Sequence, residues 1–177
     1  MDPFNYKSYW NPARKNTRQF NEIFRHQDGY KELVKSTECL AYLIRSYSVY
    51  SMTCAGLGHP GGTFSEAELL AVMYNHVLRY DPNEPSWPGR DVFYLSKCHA
   101  CPGFYAVLAL AGYFPVKDLG LYGTWGSHLE SHPDSSGTPG IEISGGSLGQ
   151  IPGIAVGRAR GIRKKGPDHY DRMVYVL

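Results

Sequence analysis

Two stretches of the chain carry apolar residues at the spacing of an amphipathic helix. In the first, over residues 29–55, the apolar positions are Leu33, Leu40, Ile44 and Tyr47. The second begins after Thr63 and Glu66, whose spacing predicts a capping box at the start of a helix. The apolar face of that helix consists of Leu69, Leu70, Met73 and Val77. We therefore expect two core-facing helices in the first half of the chain.

Two short apolar runs have the composition of strands, one over residues 91–95 and one over residues 172–177. Near-continuous apolar runs of this kind are typical of strands that are buried on both faces of a parallel sheet. Helical segments lie between them: Pro102 suits the first turn of one helix, and Ser147 with Gln150 forms a second capping box. That last helix should run to about residue 165. The pattern predicts an α/β fold, a parallel sheet with helices on both faces.

The remaining segments are predicted to be irregular. Residues 81–89 contain three prolines, which no helix interior accommodates, and residues 120–146 are rich in Gly, Ser, His and Pro. Loops as long as the second one are usually functional in a compact domain. Residues 1–28 hold aromatic side chains without periodicity and are predicted to form an arm that packs on a neighbour, with a frayed tail as the alternative. Residues 29–177 are predicted to form the single domain.

Composition narrows the class of protein. The 177 residues are 42% hydrophobic and 19% charged, which suits a globular domain and excludes intrinsic disorder. The net charge of +2, from 18 basic and 16 acidic side chains, excludes a strongly electrostatic nucleic-acid binder. The longest apolar stretch, residues 104–114, is far shorter than the ~20 residues that cross a bilayer. With no secretory leader evident, we expect a cytoplasmic protein without a membrane or nucleic-acid partner.

Three histidines lie in loops beside glycine or proline: His59 in residues 58–62, His99 in residues 96–100 and His132 in residues 130–134. Each alone is more commonly a surface histidine, but three in comparable loops are better candidates, because loops on a rigid scaffold present reactive groups. Imidazole can exchange a proton near neutral pH and can bind phosphate oxygens. The other four histidines are interpreted as structural: His26, His76, His128 and His169.

Two further motifs could carry chemistry. A glycine turn at residues 145–150 leads into the last predicted helix, so its main-chain N–H groups could face a cofactor, although a plain helix cap explains it equally well. Cys98 and Cys101 could form a dithiol redox pair or half of a zinc site. No second Cys-x-x-Cys exists, so two unreactive buried thiols are the favoured interpretation and no metal-ligating residue is predicted.

The order and spacing of these segments resemble the N-terminal part of transketolases, in particular the N-terminal subunit of split transketolases. The resemblance runs from about residue 58 to residue 177. The motifs that carry it are Gly-His-Pro-Gly-Gly at 58–62, Arg-Tyr-Asp-Pro at 79–82, Trp-Pro-Gly-Arg-Asp at 87–91, Leu-Ser-Lys-Cys-His at 95–99, Ala-Gly-Tyr-Phe at 111–114, Ser-His-Pro-Asp at 131–134, Thr-Pro-Gly at 138–140 and Gly-Ser-Leu-Gly-Gln at 146–150. Residues 1–50 match more loosely.

The resemblance implies a thiamine diphosphate-binding fold of the pyrophosphate type, and transfer of a two-carbon ketol unit from a ketose to an aldose, commonly as their phosphates. In the family, histidines at the positions of His59 and His132 contact the donor sugar, and these two are the expected catalytic residues. The histidine at the position of His99 contacts the cofactor near its diphosphate. Main chain at the position of Gly146, Ser147 and Leu148 contacts the aminopyrimidine ring.

This sequence departs from the family pattern at Cys98 and Ile151, where glycine is usual. It also ends before the family's Gly-Asp-Gly motif and the later asparagine, which hold Mg²⁺ and the diphosphate. The resemblance therefore implies a fold that is incomplete at its C-terminus and completed by partner polypeptides, which supply the metal ligands and the pyrimidine domain. We expect a dimer of such assemblies, with an isolated chain that is inactive. A non-catalytic assembly subunit is the alternative, ahead of a zinc or dithiol protein.

Overall fold

The structure, a computed structural model, describes residues 27–169 and 171–177, with side chains from residue 30. The predicted arm over residues 1–28 lies outside the described residues, except for the two that begin the first helix. Helix α1 spans Gln27–Ala55. Leu40 and Ile44 on its inner face are fully buried, which confirms the helix that the apolar spacing predicts.

The predicted capping box at Thr63 and Glu66 is wrong. Helix α2 spans Pro60–Phe64 and helix α3 spans Ala67–Val72, which a π-helical turn at Met73–Val77 continues. Thr63 lies inside α2, because the fixed φ angle of Pro60 suits a first helical turn and starts the helix earlier. Glu66 precedes α3 and is fully buried. Leu69, assigned to the apolar face, is 51% exposed.

Helix α4, Cys101–Ala111, forms the centre of the core, and all of its side chains are buried. Pro102 lies in its first turn, as predicted, and Gly112 ends it with a φ of +95° that favours glycine. Short 3₁₀ turns occur at Cys98–Ala100, Val116–Leu121 and Pro167–His169. The loops predicted over residues 81–89 and after residue 121 are present as turns and irregular chain.

Strands β1, Val92–Tyr94, and β2, Val174–Val176, pair in parallel, with Val92 opposite Val174. Phe93 packs in the cluster that contains the buried side chains of α1, α3 and α4. Val92 and Tyr94 pack in a second cluster with the last helix, α5, which spans Gln150–Arg163. The structure is therefore helix-rich α/β with a small parallel sheet. No helix among the described residues is long and apolar enough to cross a membrane.

Two details of this last region differ from prediction. Strand β2 is not buried on both faces: Val174 and Tyr175 are half-buried and Val176 is 39% exposed, because in the described part of the chain β2 pairs only with β1. Helix α5 begins at Gln150, after Gly149 with a φ of +88°, so Ser147 does not cap it. A glycine in this left-handed conformation turns the chain before the helix can begin.

Candidate functional site

Two of the three predicted loop histidines are in direct contact. His59 immediately precedes α2 and is exposed, whereas His99 lies in the Cys98–Ala100 turn before α4 and is half-buried. Their rings meet edge to face, with centroids 5.2 Å apart and planes inclined by 66°. Because helices α2 and α4 both begin at this point, the two loops that precede them lie side by side. Residues 40 positions apart in sequence thus form one surface.

Gly62 allows this close approach. A Cβ atom at this position would lie 3.0 Å from Nε2 of His99, tighter than ordinary contacts between side chains. A larger residue at position 62 would displace the His99 ring. The second glycine of the Gly-His-Pro-Gly-Gly motif therefore has a spatial role that is separate from helix formation.

His132 joins the same surface through the glycine turn. A Cβ at Gly146 would lie 3.5 Å from Cδ2 of His132, and the Gly145 N–H donates to the Pro133 carbonyl oxygen at 3.3 Å. Asp134 holds this loop together by accepting hydrogen bonds from Ser136 Oγ at 2.5 Å and Ser144 Oγ at 2.7 Å. These bonds lower the pKa of Asp134, which is consistent with an ionised carboxylate that orders the loop.

The three histidines interact electrostatically. Burial lowers the pKa of His99 first, and its electrostatic interactions with His59, Lys97 and His132 lower that pKa further. His99 is therefore neutral at physiological pH, with one ring nitrogen as a donor and the other as an acceptor. An imidazole in this state can donate a single hydrogen bond to an anionic or carbonyl oxygen without holding a full charge.

The predicted cofactor-binding residues of the glycine turn are open to the solvent. Gly146, Ser147 and Leu148 are all exposed, and Leu148 is 65% exposed. They precede α5, whose first N–H groups have no partner within the helix and lie at the positive end of its dipole. Uncharged imidazole and main-chain N–H donors around an open surface fit a cofactor with an anionic diphosphate group, such as thiamine diphosphate.

The thiol chemistry weighed as an alternative is not favoured. Cys98 and Cys101 are buried, and burial raises the pKa of both thiols, that of Cys101 to about 12. A reactive thiol needs the opposite shift. The Cys98 thiol donates to the Leu95 carbonyl oxygen at 3.2 Å, and the Cys101 thiol donates to that of Ser131 at 3.2 Å. No group of three or more potential metal ligands occurs among the residues that the structure describes.

Sequence reasoning missed a buried contact between Lys97 and Glu66 behind the histidines. The Lys97 ammonium lies 3.3 Å from the Glu66 carboxylate, which is fully buried. Burial raises the pKa of Glu66 to about 8, and Lys97 offsets only part of that shift. Lys97 belongs to a family motif, but nothing in the local sequence indicates its partner, and Glu66 was assigned to a capping box.

Comparisons with known proteins agree with the resemblance seen in the sequence. The chain is 40% identical over 137 residues to the 6-deoxy-6-sulfo-D-fructose transketolase subunit SqwG of Clostridium sp. (strain MSTE9). The matched region covers 77% of this chain and 49% of that protein. It is 43% identical over 118 residues to the chloroplastic transketolase of Zea mays, covering 66% of this chain and 18% of that enzyme.

A similar solved structure is that of transketolase from Leishmania mexicana, with a TM-score of 0.72, 33% identity, and coverage of 80% of this chain and 22% of that one. The chain spans about half the length of the Clostridium subunit and about a fifth of the other two proteins. The family model for the transketolase, thiamine diphosphate binding domain, matches residues 36–176. This chain therefore belongs to the transketolase family.

Proposed function

We propose that this chain is the N-terminal part of a thiamine diphosphate-dependent transketolase that partner polypeptides complete. The observation that supports this most is the convergence of His59, His99 and His132 with the exposed glycine turn at Gly146. In this proposal residues 1–28 are an arm, and residues 29–177 are the N-terminal part of the cofactor-binding domain.

The three histidines have distinct roles in the proposed reaction. Bound thiamine diphosphate supplies the nucleophilic carbon and the electron sink. Negative charge develops on the carbonyl oxygen of the donor ketose, and in this proposal the exposed His59 donates a hydrogen bond to that oxygen. His132 donates a hydrogen bond to a second oxygen of the ketose and exchanges a proton with a hydroxyl group of that sugar. The neutral His99 donates to the cofactor near its diphosphate.

The main chain of Gly146, Ser147 and Leu148 orients the aminopyrimidine ring in this proposal, and the first turn of α5 presents N–H donors beside it. Mg²⁺ and the rest of the diphosphate site belong to the partner polypeptide, as does the pyrimidine domain. The assembly would then be a dimer of such pairs. Cofactor affinity is therefore a property of the assembly, and the isolated chain should bind weakly.

The test is reconstitution with the complementary transketolase polypeptide, followed by calorimetric titration of thiamine diphosphate with Mg²⁺. We expect saturable binding by the pair and transfer of a two-carbon unit from a ketose to an aldose phosphate. Fructose 6-phosphate and 6-deoxy-6-sulfo-D-fructose should be compared as donors, because a related subunit is named for the second. Absence of cofactor binding by the reconstituted pair would contradict the proposal.

Variants of the two expected catalytic histidines separate an enzyme subunit from an assembly subunit. His59→Ala and His132→Ala should each lower the turnover of the reconstituted pair at least 100-fold. His169→Ala, in the turn before β2, is the matched control and should leave turnover unchanged. Wild-type turnover in both of the first two variants would instead identify a non-catalytic assembly subunit.

A further inference from the structure

Lys97 connects the two loops that carry His59 and His99. It precedes the Cys98–Ala100 turn, and its ammonium donates to the Gly62 carbonyl oxygen at 2.9 Å and to Ser65 Oγ at 2.9 Å. Both acceptors belong to the segment that begins with His59. Among the described residues, these are the side-chain hydrogen bonds that join residues 59–66 to the turn of His99.

Glu66 contacts the same ammonium from the interior of the protein. Its carboxyl group is fully buried, and Oε2 lies 3.3 Å from the Lys97 ammonium without hydrogen-bond geometry. In the described part of the chain neither carboxylate oxygen accepts a hydrogen bond. Gly103 of α4 leaves room for the carboxylate, since a Cβ there would lie 2.7 Å from Oε1. Gly103 therefore lets the Glu66 carboxyl group lie directly against the ammonium of Lys97.

The two hydrogen-bond acceptors of Lys97 and the Glu66 carboxyl group surround one nitrogen atom, so the ammonium has little freedom of position. Its hydrogen bond to the Gly62 carbonyl oxygen fixes the position of Gly62, which lies against the His99 ring. The edge-to-face contact of the His59 and His99 rings, both in part open to solvent, has no hydrogen bond of its own. A contact between two rings that are partly open to solvent is weak, whereas hydrogen bonds from a charged donor are stronger.

We infer that Lys97 is a positioning residue, anchored by Glu66, which sets the separation of His59 and His99 and so the spacing of the donor-sugar and cofactor contacts. This inference rests on the proposed function for its consequence in catalysis. The statement that Lys97 sets the separation of the two rings does not rest on that function, because it concerns the chain without a cofactor. The two parts can therefore be tested separately.

The geometric test is an NMR measurement on the cofactor-free chain. Ring protons of His59 and His99 should show a nuclear Overhauser effect in the wild-type protein. Lys97→Met should abolish it, and Lys97→Arg should retain it because a guanidinium can reach the same acceptors. Lys117→Met, an exposed lysine outside the site, is the control and should also retain it.

Lys97→Met removes the polar neighbour of the buried Glu66 carboxyl group, which lowers the stability of the chain for a reason separate from positioning. The double variant Lys97→Met/Glu66→Gln removes the ammonium and the titratable carboxyl group together, and urea unfolding measures its stability. We expect it to remain folded and still lack the Overhauser effect. In the reconstituted pair the double variant should raise the Kd of thiamine diphosphate about tenfold. The single variant Lys97→Arg should keep most of the wild-type affinity.

An Overhauser effect of wild-type strength in the folded double variant would overturn the inference, as would its absence from the wild-type chain. Loss of the effect with unchanged cofactor affinity and turnover would overturn the catalytic consequence. If the wild-type pair fails to bind thiamine diphosphate, the proposed function fails, while the measurement on the cofactor-free chain still decides whether Lys97 positions the two rings.

Discussion

Gly145 lies against the thiol of Cys98: a Cβ at position 145 would come within 2.8 Å of Cys98 Sγ and 2.9 Å of Ile151 Cδ1. Cys98 and Ile151 are the two positions at which the resemblance leads us to expect glycine. The side chains of Cys98 and Ile151 therefore fill the space that a side chain at position 145 would need. The departures are accommodated together, at the base of the glycine turn.

This arrangement makes Gly145→Ala destabilising by about 1–3 kcal/mol, because the added methyl group overpacks a buried contact. Cys98→Gly should recover part of the loss when combined with it, with a coupling free energy of about 1 kcal/mol between the two sites. Urea unfolding of the two single variants and the double variant measures this. Gly146→Ala, whose nearest neighbour is at 3.5 Å, is the stability control. Strictly additive effects would contradict the contact.

Gly62→Ala should displace His99 and raise the Kd of thiamine diphosphate for the reconstituted pair about tenfold. Gly61→Ala is a closely matched control, because both residues lie in α2 and a Cβ at Gly61 would meet no atom within 4 Å. Helix propensity favours Ala over Gly by about 1 kcal/mol in both variants, so a general loss of stability cannot explain a difference. An equal Kd of thiamine diphosphate in the two variants would show that cofactor binding tolerates the displacement of the His99 ring.

Glu66 should make the stability of the chain depend on pH. Its pKa is raised in the folded state to about 8 from an ordinary value near 4.5, so between these values the folded chain holds a proton that the unfolded chain releases. Stability should therefore fall as pH rises from 5 to 8.5. Besides burial, the group that acts on Glu66 is Lys97, which offsets part of the rise in pKa.

The measurement is the urea midpoint at pH 5 and pH 8.5. Glu66→Gln should flatten the dependence, because the amide does not titrate. Glu68→Gln is the control: hydrogen bonds from Arg45 lower the pKa of the exposed Glu68, so its charge does not change over this interval. A slope that survives Glu66→Gln would assign the dependence to another group.

Asp91 should be more important for stability than Asp171, although both bind Arg79. The side chain of Asp91 is 2% exposed and accepts hydrogen bonds from the main-chain N–H groups of Arg79 at 3.0 Å and Met173 at 2.9 Å. Asp91→Ala should cost about 3 kcal/mol, since it leaves buried donors unpaired and releases the start of β2. Asp171→Ala, at a side chain 66% exposed, should cost less than about 1 kcal/mol. Similar losses in chemical unfolding would contradict this order.

Thiol reactivity should follow burial. Cys54 is exposed and should react with a disulfide reagent at pH 8 in the native protein. Cys101 should react only after unfolding, because burial raises its pKa to about 12 and keeps the reagent out. Mass spectrometry of the labelled peptides distinguishes the sites. Rapid native labelling of Cys98 and Cys101 would reopen the dithiol interpretation.

Local sequence patterns determined much of this protein. The spacing of Leu40 and Ile44 predicts α1, Pro102 marks the start of α4, and the apolar run at Val92–Tyr94 forms a strand. The glycine and proline residues around the three histidines identify them as loop residues, and the order of the motifs indicates the family. All of these signals act between residues close in sequence, where dihedral preference and periodicity decide the outcome.

Only the tertiary structure decided which loops meet. The contact of His59 with His99, the Lys97–Glu66 pair and the fit of Cys98 against Gly145 each join segments about 30 or more positions apart. A capping box was predicted at Glu66 because its neighbours suit one, yet burial beneath Lys97 determines its environment. Such contacts depend on how helices and strands pack, which local preference does not encode.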